Sequence, residues 1–161
     1  MNGLLGNVQA VLSLSPWWLH DAPDVRSLAH RPDSEHSMEN SSFNVHRSDA
    51  RSSHWTPHDT ASAPLAAGQA RLRIASFALT SNHITYAAFG DAMKYWEFFP
   101  SANAEHGRIP VWGFADVVAV AVDGVAVGER FYGYFPMAQH VLLQPVRVTA
   151  AGFLRRCSTP P

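Results

Sequence analysis

The sequence predicts a mainly β fold, a barrel or sandwich of short strands joined by tight turns. Three observations lead there. Val117 to Val122 is an unbroken run of β-branched and small apolar residues, the pattern of a buried strand. Asp123-Gly124 and Gly128-Glu129-Arg130 then punctuate the chain, because glycine takes the positive φ of a tight corner at little cost. Phe131 to Phe135 resumes as an aromatic strand. Ile109 to Phe135 therefore reads as strand, turn, strand, and the other elements are expected to gather around it.

From the N-terminus, residues up to about Pro64 differ from the rest. Ser, His, Asp and Pro are dense from His20 to Pro64, and apolar periodicity is absent, so little burial would offset the entropy of ordering. Residues 1–37 are expected to be an extension, disordered or upstream of a true start at Met38. Ser42 to Arg47 is a short strand-like run, followed by an expected polar loop. Gln69 to Thr80 reads as a strand, with Leu72, Ile74 and Ser76 on one face and Arg71 and Arg73 on the other. Ser81 to Gly107 is a long connection with helical content around Ile84 to Phe89, and long structured connections often carry function. Pro110 opens the central strand, where a missing N–H is tolerated. Val141 to Gln144 makes a further strand, continued weakly through Val148, and residues 153–161 are expected to be a disordered tail.

The totals narrow the function. The 161 residues suit one domain. A formal net charge of -1 and the lack of a Lys/Arg run argue against a nucleic-acid or anionic-membrane partner. No apolar run is long enough to span a bilayer, and Met1 to Ser15 lacks the basic start of a secretory signal. A single cysteine, Cys157, fits a reducing compartment, so a cytoplasmic location is expected.

A resemblance extends this reading. Gly113-Phe-Ala-Asp-Val-Val-Ala-Val-Ala-Val-Asp-Gly-Val-Ala-Val-Gly-Glu-Arg-Phe-Tyr-Gly133 resembles the central hairpin of the GroES-like domain of medium-chain dehydrogenase/reductases. Ala138-Gln-His-Val-Leu-Leu-Gln-Pro145 looks like the strand after that hairpin. Ser81-Asn-His-Ile-Thr-Tyr-Ala-Ala-Phe-Gly90 looks like a loop of the quinone-reductase branch. More closely, Phe77 to Tyr86, Tyr95 to Pro100 and Ile109 to Asp116 look like a bacterial family related to that superfamily and known only as a domain of unknown function. The resemblance covers roughly Met38 to Gly152 and implies a GroES-like partial β-barrel over 38–152, with short helical segments.

The departures from the superfamily pattern are as informative. Thr80-Ser81-Asn82 and Trp112-Gly113-Phe114 stand where zinc-dependent members carry their ligands, so no metal is implied. The superfamily binds NADPH on a separate Rossmann domain, and no Gly-rich strand-turn-helix comes after Val148 here. No cofactor is therefore expected in this chain, although NADPH is implied for a full-length relative. The expectation is the substrate-side fragment of a zinc-independent reductase-like protein acting on a small molecule, inactive alone. It should expose an apolar face open to self-association. The competing reading is a non-catalytic β-rich binding module. Whether the chain is an enzyme stays open at this point.

Within that resemblance, Asn82 matches a polar position that faces the cofactor, against the alternative of an Asn that holds its own loop. Tyr86 is the catalytic candidate, a phenol able to hydrogen-bond a carbonyl, against the alternative of a pocket-wall aromatic. Tyr95, Trp96, Phe99 and Trp112 are candidates for an apolar substrate pocket, against the alternative of core. The nine histidines include His54-Trp-Thr-Pro-His58, whose helical ligand spacing is interrupted by Pro57, and His46 shows no convergence with them.

Overall fold

The computed structural model describes residues 8–13, 40–57 and 60–156. In chain order they form β1 (Val8–Ser13), β2 (Ser41–His46), β3 (Asp49–Pro57), β4 (Ala70–Phe77), α1 (Asn82–Ala88), β5 (His106–Gly107), β6 (Pro110–Val120), β7 (Arg130–Pro136), β8 (His140–Leu143), β9 (Pro145–Thr149) and β10 (Gly152–Arg156). The fold is mainly β, as the turn-punctuated apolar runs require.

Seven strands make one antiparallel sheet in the order β8-β4-β6-β7-β1-β10-β9. The two end strands, β8 and β9, are separated in the chain only by Gln144. One stretch of chain thus pairs with β4 and then, one residue later, with β10. The ends of the sheet meet there, and the sheet is nearly closed into a barrel. Closure removes most of the unpaired edge that an open sheet would leave.

The expected hairpin is its spine. β6 and β7 pair from Pro110 opposite Pro136 to Asp116 opposite Arg130. Gly124 and Gly128 in the connection have φ of 80° and 92°, the left-handed region that favours glycine. Along β6 the pleat sends Val111, Ala115 and Val117 inward, while Trp112 and Val118 face out. The run through Val122 is therefore shorter and more one-sided than a fully buried strand, ending at Val120. Leu72, Phe131, Phe135, Val141, Leu143 and Phe153 fill the barrel with Ala115 and Val117.

A second sheet, β3-β2-β5, lies beside the barrel. The Phe43 N–H donates to the Met137 carbonyl at 2.8 Å, and Ser42 bridges Ala138. Between the sheets and α1 lies a smaller core of Val45, Ala87, Trp96, Ile109, Val111 and Met137.

Several expected boundaries move. Val8–Ser13, inside the expected extension, is β1, and it pairs with both β7 and β10. Gly152–Arg156, at the start of the expected tail, is β10. The polar loop expected after Arg47 is mostly strand β3, an exposed edge strand whose polar residues tolerate solvent. In β4 Leu72 is buried and Ile74 partly so, but Ser76 is exposed beyond a bulge between Ile74 and Ser76. Residues 14–37 and 157–161, with Cys157 among them, lie outside the described residues.

Candidate functional site

α1 positions the candidate site. Just before it, Thr80 and His83 clamp the turn from both sides. The Thr80 N–H donates to His83 Nδ1 at 2.9 Å, and the His83 N–H donates to the Thr80 carbonyl at 3.0 Å. The imidazole thus ties the turn that leads into α1. His83 Nδ1 also lies 2.9 Å from the Thr80 carbonyl, while Nε2 is buried and has no partner among the described residues. Asn82, the cofactor-side candidate, opens the helix and is exposed.

One turn on, Tyr86 meets a group of aromatics from three other segments. The Tyr134 hydroxyl, from β7, donates to the Tyr86 hydroxyl at 2.8 Å. The Tyr86 ring lies 4.5 Å from Tyr95, and Tyr134 lies 4.1 Å edge-on from Trp112. Phe98 touches both Tyr95 and Tyr134. Burial, and then the hydrogen bond to Tyr86, push the Tyr134 pKa up, so this phenol keeps its proton. With Tyr134 donating, the Tyr86 proton remains available to an outside acceptor.

The sequence candidates therefore divide. Tyr86, Tyr95 and Trp112 come together in one partly exposed cluster. Trp96 does not join them. Its indole fills the small core, where a Cβ at Gly90 would lie 2.0 Å and a Cβ at Gly107 2.3 Å from its ring. Trp96 lining a pocket is corrected to core packing, because two glycines leave room for the indole alone. Phe99 belongs to the barrel core, under the Arg155 guanidinium at 4.0 Å. Tyr134 is the member that sequence reasoning missed, and its place on the aromatic run Phe131 to Phe135 was the only signal.

Beside α1 opens a strongly apolar concavity, a groove of about 570 Å³. Its walls include Phe43, Trp55, Phe77, Leu79, Ile84 and Met137. Trp55, Leu79 and Ile84 are 50%, 65% and 71% exposed, so the rim is apolar as well as the floor. Such a concentration of exposed apolar side chains at one concavity makes it a candidate binding or docking surface.

Histidines gather elsewhere. The His106 ring meets His54 at 4.6 Å and His46 at 5.4 Å, both edge-on. Antiparallel pairing puts His46 opposite His106, a residue the sequence reading did not single out. His58 lies outside the described residues. Among the described residues, no group of three or more His, Cys, Asp and Glu is placed to hold a metal ion. No helix among them is long and apolar enough to cross a membrane.

Residues 77–158, half of the chain, match a family model described as "Protein of unknown function (DUF2855)". The matched span begins at the last residue of β4 and takes in α1 and β5 to β10. No curated protein and no solved structure matches the chain.

Proposed function

The chain belongs to the DUF2855 family, and we propose that it is the substrate-side, GroES-like half of a zinc-independent reductase-like protein. It binds an apolar small molecule and does not itself carry the cofactor. NADPH would reach the substrate from a separate nucleotide-binding unit, and the cofactor would supply the hydride. The reducing cytoplasm suits that chemistry and the single cysteine.

The apolar groove beside α1 carries this reading. An apolar ketone or enone would lose little by leaving water for walls of Phe, Trp, Leu, Ile and Met. On the same helix, though outside the groove's lining, the Tyr86 hydroxyl is supported by the bond from Tyr134. A phenol that receives one hydrogen bond is a better donor through its own proton to a carbonyl oxygen. Tyr86 would thus orient and polarise the carbonyl, with Tyr95 and Trp112 as neighbouring walls and Asn82 at the exposed, cofactor-facing end of the helix.

The alternative is a non-catalytic β-rich binding module. The absence of a Gly-rich strand-turn-helix among the described residues favours it. One titration separates the outcomes. Tryptophan fluorescence of the purified chain is followed while an apolar enone, and separately NADPH, is added. We expect saturable quenching by the enone, lost in Trp55→Phe, and no response to NADPH. Micromolar NADPH binding would move the cofactor site into this chain. No enone binding would remove the substrate-side role and leave the binding-module reading.

A further inference from the structure

We propose that a second, small pocket, on the barrel flank where β8 and β10 approach the segment leading into β6, binds a small oxyanion of phosphate or carboxylate chemistry, with Arg108 as its principal ligand. The pocket holds about 170 Å³ and is lined by Arg108, Arg155, Thr60, His140 and the Phe98-Phe99 pair, among others. It shares no lining residue with the apolar groove, so it stands or falls apart from the function proposed above.

Arg108 is the first argument. It is partly buried, and that burial alone pushes its guanidinium pKa down, with no carboxylate raising it again. None of the ion pairs among the described residues involves it. A cation withdrawn from water without a counter-charge is costly, and an anion drawn into the same pocket offsets that cost.

The second argument is preorganisation. Arg108 Nε donates to Asn44 Oδ1 at 3.4 Å. Asn44 is buried and held by its own amide, which donates to the Ser42 carbonyl at 2.9 Å and to Thr56 Oγ1 at 3.1 Å. That fixes which way its oxygen points. The Ser101 hydroxyl donates to the same oxygen at 3.2 Å. Nε is therefore occupied on the protein side, and the two terminal nitrogens of the fork remain for an oxyanion, whose geometry they match.

The third argument is the field around the pocket. Arg155 is buried in the lining, over the Phe99 ring, with its guanidinium donating to the Phe98 carbonyl. His140 is depressed in pKa first by burial and then by Arg71 and Arg73, so positive charge extends beyond the pocket itself. No Asp or Glu among the described residues lines the cavity. Arg73 is already matched by Asp116, whereas Arg108 is not.

The test uses the whole chain at constant ionic strength, with chloride replaced stepwise by inorganic phosphate or by acetate while thermal unfolding is followed. We expect the midpoint to rise saturably with one or both anions, and Arg108→Gln to weaken the apparent affinity about tenfold or more, as loss of a charge-assisted contact implies. Arg108→Lys should recover part of it. Phosphate alone, or acetate alone, identifies which oxyanion the pocket prefers. An unsaturable response, or one unchanged in Arg108→Gln, overturns the proposal. Should Arg108→Gln fail to fold, nitrogen NMR of the unaltered chain decides: the Arg108 Nε–H signal must shift saturably with the anion, and a signal that does not move overturns the site.

Discussion

Two apolar regions of this molecule differ in how they are closed. The barrel interior is enclosed by a nearly closed seven-stranded sheet, and Leu72 and Phe135 retain no exposure. The smaller core under α1 has buried residues of the same kind, Val45, Val111 and Trp96 among them. Yet its apolar surface continues outward through Trp55, Phe77, Leu79 and Ile84 into solvent. The reason is architectural. β5 is only two residues long, and α1 runs for two turns, so neither can cover the flank of the three-stranded sheet. Apolar surface in the barrel supports the fold. On the flank it is left available to something else.

The largest test of that contrast is Phe135→Ala. A fully buried ring lost from a closed barrel should cost about 3–5 kcal/mol, enough to unfold a domain of ordinary stability. The measurement is a urea midpoint, and a cost near zero would mean that the barrel is not the stabilising core. Next comes Gly107→Ala or Gly90→Ala. Each adds a methyl where the Trp96 indole already sits, and overpacking of this kind costs about 1–3 kcal/mol. A loss from either would show that the flank is tightly packed at its base and open only at its rim. A neutral result from both would mean that Trp96 is loosely held and that the groove extends beneath it.

A smaller effect is expected on the barrel surface. Asp116 accepts from Arg130 at 2.7 Å and 2.9 Å and lies 3.6 Å from Arg73. The Arg130 hydrogen bond is the main cause that holds the Asp116 pKa below its usual value. A carboxyl lowered by folding adds stability above its unfolded pKa and loses it as pH falls through the folded one. Asp116→Asn should therefore cost about 1 kcal/mol near neutrality and nothing once acid has protonated the carboxyl. Urea midpoints of the two proteins should differ near neutral pH and converge as pH falls through the lowered carboxyl range of Asp116. A constant difference across that range would assign the loss to packing.

Much of the barrel was legible because its strands carry local signals. The β6–β7 hairpin, β4 and α1 follow from the valine run, the alternation around Leu72 and the aromatic connection. β1 was missed because it is held by partners more than a hundred residues away in sequence, Arg156 to Gly152 on one side and Phe131 and Tyr132 on the other. β3 was missed because an exposed edge strand has no apolar period to read. In the site, Tyr86 was found through the resemblance, whereas its hydroxyl partner Tyr134 was not. Their contact spans 48 positions and depends on how α1 lies against β7, which no local pattern encodes. Trp96 and Trp112 look alike as residues in an aromatic-rich segment, but the fold brings Gly90 and Gly107 against the Trp96 ring, so that one is core and the other is half exposed.

The smallest effect on stability is also the sharpest probe of the flank. Ile84 is the third residue of α1 and the most exposed large apolar side chain on the rim of the groove. Glutamate propagates a helix better than isoleucine does, and a negative charge in the first turn is favoured by the helix dipole. Ile84→Glu should therefore leave the urea midpoint within about 0.5 kcal/mol of the parent. The same change puts a charge beside Leu79 and Trp55, so hydrophobic-dye binding, enone quenching and concentration-dependent association on a sizing column should all fall. If stability drops by more than about 1 kcal/mol instead, Ile84 is part of the fold-supporting core. If stability holds but dye, enone and association are also unchanged, the exposed flank is not the surface that binds, and the contrast between a closed barrel and an available flank loses its functional meaning.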